Sequence, residues 1–234
     1  MSEPVPDIGE ALAAVHGRVA AAARRAGRDP AGVEIVAVSK GVGADLVAAA
    51  AGAGQRVFGE NRVQEAAEKL DTLASARAGT RWHLVGHLQS NKGRRALDLF
   101  DCVQSVDSLE LAVRLDRLAA ELGRRLPVYL QVNVDRDPAK AGFEPADLTA
   151  ALPALLDLGA LDPIGLMTVG RLVEDPEAAR PTFRALAALS TDLRRHDARL
   201  GAGLSMGMSA DFEVAVEEGA TCVRVGRAIF GSRA

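Results

Sequence analysis

The chain has 234 residues, of which 48% are hydrophobic and 25% charged, and its formal net charge is −3 at pH 7. These values are ordinary for one larger globular domain or two small ones. They exclude a strongly basic nucleic-acid surface. The N-terminal segment carries acids and no continuous apolar core, which excludes a signal peptide, and no run approaches the roughly 18 apolar residues of a membrane span.

The two cysteines, Cys102 and Cys222, each lie in a short apolar segment and belong to no CxxC or Cys/His cluster. Isolated thiols of this kind are typical of small buried hydrophobic residues, not of a disulfide framework or a zinc site. The sequence therefore predicts a protein of the reducing cytoplasm without a bound metal.

Short apolar runs alternate along the chain with longer alanine- and leucine-rich stretches of helical period. A first helix is predicted at residues 6–26, with Ile8, Leu12 and Val15 on one side. Strands are then predicted at 33–38, 57–58, 82–85, 102–105, 128–132, 163–167, 203–206 and 221–225. Helices are predicted to follow them at 44–53, 61–77, 90–98, 108–122, 145–157, 176–197, 210–218 and from residue 227.

This alternation predicts the fold class. Strands separated by helices run parallel, and eight such units close into a (β/α)8 barrel. An open doubly wound sheet is the alternative, but the GxGxxG segment expected after its first strand is missing. No linker or change of composition divides the chain. We therefore expect an α/β protein in which residues 1–234 form a single TIM-type barrel domain with an extra N-terminal helix.

Lys40 directly follows the first predicted strand, at the end of the barrel where functional residues of this fold lie. A partly desolvated lysine there can present a neutral amine to a carbonyl compound and form a Schiff base. The alternative is a lysine whose ammonium group reaches water along an apolar surface.

Arg224 lies within the last predicted strand. Strand alternation puts Cys222 and Arg224 on one face and the neighbouring valines on the other. Both faces of a barrel strand are covered, so a guanidinium group there requires a partner. That partner is either a ligand atom at the barrel mouth or a buried carboxylate, Glu60 or Asp211.

Two turns after the last two strands form a candidate phosphate site. Ser209 is a predicted N-cap of the helix at 210–218, and Gly226 precedes the final helix. Backbone N–H groups at these two places in a barrel are the usual phosphate ligands of the fold.

A lysine, an arginine and a phosphate site at one barrel mouth together predict pyridoxal 5′-phosphate (PLP). Its aldehyde would meet Lys40 and its ring nitrogen Arg224. Arginine is always charged and donates only to an unprotonated nitrogen, so the ring is a poor electron sink. Carbanion chemistry is then disfavoured.

Several segments of the chain resemble the pyridoxal-phosphate homeostasis protein family: VAVSK, FGENRVQE, WHLVGHLQSNK, VNVDRDPAKAGF, GLMTV, LSMGMSADFEVAVEEGATCVRVG and RAIFG. The resemblance runs from about residue 8 to residue 231. It implies a barrel like the N-terminal domain of alanine racemase, without that enzyme's second, β-rich domain. It also implies that Lys40 holds PLP covalently, that Arg224 faces the pyridine nitrogen, and that Ser209 and Gly226 hold the phosphate.

The resemblance implies further contacts around the cofactor. Asn61, Met167 and Ser205 would lie beside it. Lys140 matches a lysine that is proposed in the family as a secondary cofactor contact. Asn61, Met167 and Ser205 complete the set of expected PLP ligands, and the role of Lys140 is left open.

Four other residues bear on the resemblance. His83 and Asn91 match family motif positions without a clear role. His87 stands where a proline is common, and Arg227 stands where a small hydroxyl residue is common. Arg227 removes a hydroxyl donor to the phosphate and either replaces it with a charge-assisted contact or points to solvent.

Two classes of function follow. The first is a non-catalytic carrier or buffer that maintains PLP and amino-acid balance, and the second is an amino-acid racemase. Racemisation needs an acid/base group on each face of the substrate, and in the racemase this chain resembles the second base is a tyrosine of the additional domain. The chain ends eight residues after Gly226, and its single tyrosine, Tyr129, lies in an apolar strand. The carrier is therefore favoured.

An enzyme acting on a sugar phosphate through Lys40 is a third alternative, but it leaves Arg224 unexplained.

The sequence shows no plainly exposed apolar helix face, so a monomer is expected. The expected partners are PLP and PLP-dependent apo-enzymes, with neither nucleic acid nor membrane among them.

Overall fold

A computed structural model describes residues 7–73, 77–170 and 173–231. In this part of the chain, parallel strands form a closed barrel in sequence order from β1 to β8. The strands are β1 (Glu34–Val38), β2 (Val57–Glu60), β3 (Arg81–Leu84), β4 (Cys102–Val106), β5 (Leu126–Gln131), β6 (Leu161–Met167), β7 (Gly203–Ser205) and β8 (Cys222–Val225). The barrel predicted from the sequence is confirmed.

Helices cover the outside of the barrel. They are α1 (Ile8–Arg25), α2 (Ala44–Gly52), α3 (Val63–Thr72), α4 (Gly93–Leu99), α5 (Leu109–Glu121), α6 (Pro145–Leu156), α7 (Arg180–His196), α8 (Phe212–Glu217) and α9 (Arg227–Phe230). The first residues of the predicted helices at 176–197 and 90–98 form 3-10 turns, Pro176–Ala179 and Ser90–Lys92. The predicted helix start at residue 6, and residues 74–76 of the third predicted helix, lie outside the described residues. None of the helices in the described ranges is long and apolar enough to cross a membrane.

The two faces of each strand enter different apolar clusters. In β1, Ile35 and Ala37 pack with the helices, whereas Val36 packs inside the barrel with Tyr129 and Cys222. This alternation continues past the end of the strand. It directs Ser39 outward to the helices and Lys40 inward to the barrel mouth.

The extra helix α1 packs against α8 and α9, the two helices that border the barrel mouth. Its buried apolar side chains supply most of this contact. Arg18 adds an ion pair with Glu213 at 3.0 Å, but both side chains are partly exposed and the pair contributes little. The N-terminal helix therefore supports the last two units of the barrel.

Candidate functional site

A cavity of about 530 Å³ opens at the C-terminal end of the barrel. Lys40 follows β1, Asn61 follows β2, Ser209 follows β7, and Arg224 and Gly226 come from β8 and the turn behind it. The structure brings these five residues around one cavity. Their role as ligands of a cofactor remains the prediction made from the sequence.

The backbone before Lys40 is held from outside the barrel by a buried ion pair. Lys69 of α3 lies 2.5 Å from Glu60 Oε1, and their side chains are 6% and 0% exposed. Lys69 Nζ also donates to the carbonyl oxygen of Ser39 at 2.6 Å, and the Ser39 hydroxyl donates to Glu60 Oε1 at 2.7 Å. Burial raises the pKa of Glu60 despite these hydrogen bonds. The residue preceding Lys40 is thus bound through both its side chain and its carbonyl group.

The backbone after Lys40 is held by the same helix. The N–H of Gly41 donates to the carboxylate of Glu65, four residues before Lys69 in α3. Lys40 therefore projects from a segment that α3 fixes on both sides. Sequence reasoning missed this arrangement, although Lys69 shares the apolar face of α3 with Leu70 and its neighbours.

Arg224 is buried within the barrel, and burial lowers its pKa. Its Nη1 donates to Ser205 Oγ at 2.5 Å and its Nη2 to the carbonyl oxygen of Thr168 at 2.7 Å. Among the described residues it forms no ion pair with Glu60, which pairs with Lys69, or with Asp211. A guanidinium group has five N–H donors, so donors remain for a ligand in the cavity that Arg224 lines.

A chain of buried side chains continues from Arg224 across the barrel. Ser205 Oγ accepts from Arg224 and so donates its own proton to Gln104 Oε1 at 2.7 Å. Gln104 Nε2, which can only donate, lies 2.8 Å from His83 Nδ1. His83 must therefore be neutral, with its proton on Nε2. Burial agrees with this assignment because it lowers the pKa of His83 to about 4.

This neutral histidine predicts a pH dependence of stability. The pKa of His83 is about 4 in the folded protein and about 6.5 when unfolded, so the neutral form is favoured by folding. The contribution of this pKa difference to the free energy of unfolding is complete above pH 6.5 and is lost as the pH falls towards 4. Between pH 7 and pH 4.5 the wild type should lose about 2 kcal/mol more unfolding free energy than His83→Gln, measured by urea denaturation. Equal losses in the two proteins would show that folding does not lower the pKa of His83.

Met167 and Ser205, which the family resemblance puts beside the cofactor, lie deeper in the barrel. Met167 is fully buried in the interior cluster with Val36 and Cys222. Ser205 is fully buried in the chain behind Arg224. Neither is among the described residues that line the cavity. A direct contact of either with the cofactor remains a prediction.

Ser209 has a different role from the predicted one. The prediction that it caps the helix after β7 is wrong, because α8 begins at Phe212 and Asp211 is its N-cap. The Ser209 hydroxyl oxygen instead accepts from the N–H groups of Gly226 at 3.2 Å and Ala228 at 3.3 Å. Ser209 thus joins the turns after β7 and β8, and its own proton is free to be donated into the cavity that it lines.

Two glycines in these turns lie close to neighbouring atoms. Gly207 has a φ of 91°, and a Cβ atom there would lie 2.5 Å from Cβ of Ala215. A Cβ atom on Gly226 would lie 3.0 Å from the carbonyl oxygen of Val38. Arg227 also lines the cavity at this end. A hydroxyl group, close-lying backbone and a guanidinium group fit a phosphate, as the Lys40 amine and Arg224 fit the rest of PLP.

Three further residues of the family motifs, Lys140, His87 and Asn91, lie outside the lining of this cavity. Lys140 Nζ donates to the carbonyl oxygen of Val169, a lining residue, at 3.1 Å. His87 is exposed and lies 3.1 Å from the carboxylate of Asp107. Asn91 is exposed in the turn before α4. These positions give the residues no direct contact across the cavity.

A second cavity of about 960 Å³ lies next to the first. Lys40 and Asn61 line both cavities, and the second is completed by polar residues after β2 and β3, including Arg62 and Lys92. Sequence reasoning missed this cavity. The only signal was the number of polar residues in the segments that follow these strands.

Comparison with known proteins identifies relatives along the whole chain. A family model described as the alanine racemase N-terminal domain matches residues 11–234. The pyridoxal phosphate homeostasis protein of Escherichia coli is 40% identical over an alignment of 233 residues that covers 97% of this chain and 97% of the relative. That of Pseudomonas aeruginosa is 43% identical over 227 residues, covering 97% of this chain and 96% of the relative.

Solved structures agree with these relatives. PipY of Synechococcus elongatus without PLP matches with a TM-score of 0.88 and 43% identity, over 96% of this chain and all of that chain. The structure of PipY with PLP bound matches with a TM-score of 0.85 over the same share of both chains. An alanine racemase of Clostridium difficile shares the fold at 16% identity and a TM-score of 0.70, over 97% of this chain and 56% of that chain. The chain therefore belongs to the pyridoxal phosphate homeostasis protein family, built on the barrel of the alanine racemase N-terminal domain.

Proposed function

We propose that this protein binds PLP through a Schiff base at Lys40, carries or buffers it, and takes part in PLP and amino-acid homeostasis without evident catalysis. The observation that carries the proposal is the single cavity that collects Lys40, Arg224 and Ser209 at the barrel mouth. The names of the relatives and the PLP-bound structure of PipY support it.

Four lining residues have a direct role in this proposal: Lys40, Arg224, Ser209 and Arg227. The Lys40 amine holds the aldehyde carbon, and Arg224 donates to the ring nitrogen. The Ser209 hydroxyl and Arg227 hold the phosphate, and Gly226 lines the site with its N–H donated to Ser209 Oγ. Bound PLP supplies a reactive aldehyde, and a permanently charged arginine at the ring restrains its use as an electron sink.

The position of Tyr129 favours a carrier over a racemase. It is the single tyrosine of the sequence, and it is buried in the interior cluster with Val57 and Met167. Burial raises its pKa, so the phenol stays protonated. Tyr129 is not among the described residues that line the cavity, which makes it unsuited as the second acid/base group.

The proposal extends to the state and partners of the protein. Cys102 and Cys222 are buried free thiols, which suits a protein of the reducing cytoplasm. Leu109 and Val113 are the exposed large hydrophobic residues of the described part of the chain, a patch too small for a stable dimer. We expect a monomer whose PLP passes to PLP-dependent apo-enzymes.

The test is to trap the cofactor. The protein incubated with PLP should turn yellow, and borohydride reduction followed by peptide mass spectrometry should place the adduct on Lys40, one of four lysines in the sequence. Lys40→Ala should abolish the adduct, whereas the matched control Lys92→Ala should keep it. A colourless protein with no trapped lysine would contradict the proposal.

A second measurement separates the carrier from the racemase. Alanine and serine racemisation should stay at background levels in the PLP-loaded protein. Turnover at ordinary enzymatic rates that is lost in Lys40→Ala would contradict the non-catalytic role and leave PLP binding intact.

A further inference from the structure

We infer that the second cavity is a binding site for the carboxylate group of a small amino acid, held by Arg62 and Lys92 beside the amine of Lys40. The inference rests on the proposed function, because it supposes that Lys40 carries the cofactor. It adds a class of ligand and the residues that recognise it.

The two cavities meet at Lys40. The first cavity, which is proposed to hold PLP, extends from this residue towards Arg224 and Ser209. The second cavity extends towards the segments after β2 and β3. Because α3 fixes the backbone before and after Lys40, the position of this junction is set by the fold. A molecule in the second cavity can therefore reach the cofactor-bearing amine without displacing the phosphate or ring contacts.

The charges around the second cavity favour an anion. Arg62 and Lys92 form no ion pair with any residue in the described ranges, so both are available to a ligand. Glu65 is the acid among the described lining residues, and its carboxylate already accepts from Gly41 and lies 3.5 Å from Lys69 Nζ. Arg62 and Lys92 outnumber Glu65, so the lining has a net positive charge that suits a carboxylate bound by charge-assisted hydrogen bonds.

The position of these cations selects an amino acid. An incoming amine can replace Lys40 Nζ in the C=N bond, in which case the incoming nitrogen gives up two protons and Nζ gains two. No oxidant or reductant is needed. A carboxylate held by Arg62 and Lys92 would bring the α-amine of the same molecule close to this bond. Asn61 and other neutral amides complete the lining without opposing the charge.

The test compares three small molecules on the PLP-loaded protein. L-alanine has both groups, ethylamine has the amine alone, and propionate has the carboxylate alone. The readouts are the absorbance spectrum and the fraction of Lys40 trapped by borohydride. When concentrations are expressed as unprotonated amine, L-alanine should release Lys40 at about tenfold lower concentration than ethylamine. Equal potency would overturn the carboxylate site while leaving covalent PLP binding in place.

Propionate tests the site without any substitution. It should leave the trapped fraction unchanged by itself and raise the concentration of L-alanine needed for release. No competition would overturn the inference. Stronger competition by inorganic phosphate than by propionate would also overturn it, because the cavity would then be a phosphate site.

Two charge-matched double variants complete the experiment. Arg62→Ala/Lys92→Ala should lose the tenfold preference for L-alanine over ethylamine. Arg24→Ala/Arg114→Ala removes the same charge from α1 and α5 and should keep the preference. A preference retained in the first variant, or lost in both, would overturn the assignment to Arg62 and Lys92. A wild-type protein that traps no PLP at Lys40 would instead contradict the proposed function.

Discussion

Lys69→Met is expected to lower the free energy of unfolding by about 3–5 kcal/mol, measured by urea denaturation at pH 7. The substitution removes the positive charge beside Glu60, whose side chain is completely buried. Methionine fills similar volume, so the loss reports the uncompensated carboxylate and not a cavity. Among the described residues, Glu60 Oε2 has no hydrogen-bond partner in the wild type, so the carboxylate depends on the contacts of Oε1 with Lys69 and Ser39.

A double variant is the control for this prediction. Glu60→Gln/Lys69→Met removes both charges and should recover most of the lost stability, because a neutral amide is far less costly to bury than a carboxylate. A loss below about 1 kcal/mol in the single variant would mean that Glu60 is protonated in the fold. Both variants lose the donor to the Ser39 carbonyl, so both should trap less PLP at Lys40 than the wild type even when fully folded.

The barrel could be predicted from the sequence because its signals are local and repeated. Each unit has a short apolar strand and an amphipathic helix, and eight such units without a GxGxxG segment favour a closed barrel over an open doubly wound sheet. The same local rules identified Lys40 and Arg224, since a charged residue in or directly after a covered strand is rare. Alternation within β8 also gave the correct face for Arg224.

The contacts behind these two residues could not be predicted. The chain from Arg224 through Ser205 and Gln104 to His83 joins β8, β7, β4 and β3, so it depends on the register across the closed barrel. Two hydrogen-bonded partners in this series, Gln104 and Ser205, are 101 residues apart in the sequence. Local periodicity cannot predict a contact over such a separation.

The prediction of the N-cap residue after β7 was wrong for a local reason. Ser209 and Asp211 are both good N-cap residues and lie two positions apart, so composition alone does not rank them. The helix begins at Phe212 with Asp211 in the N-cap position, and Asp211 Oδ1 accepts from the Met208 N–H at 2.6 Å and not from a helix N–H. This contact closes the turn and leaves Ser209 to bridge to β8.

Arg224→Met is expected to erase the preference of the protein for PLP over the analogue with carbon in place of the ring nitrogen. The wild type should bind PLP about 10–100-fold more tightly than this analogue, since a hydrogen bond from a charged donor contributes about 1.5–3 kcal/mol. Methionine cannot donate, so the variant should bind both molecules with similar, weakened affinity. Spectrophotometric titration of both proteins with both ligands gives four dissociation constants. Together they give the coupling free energy between Arg224 and the ring nitrogen directly.

The comparison with the analogue separates a contact from a structural effect. Loss of Arg224 also removes the donors to Ser205 Oγ and the Thr168 carbonyl oxygen, which lowers stability whatever the ligand. That loss affects both ligands equally and cancels in their ratio. The control Arg227→Met removes a cation from the same cavity and should weaken both ligands while preserving the ratio. An unchanged ratio in Arg224→Met would mean that the guanidinium group serves the barrel interior alone and that another group faces the ring.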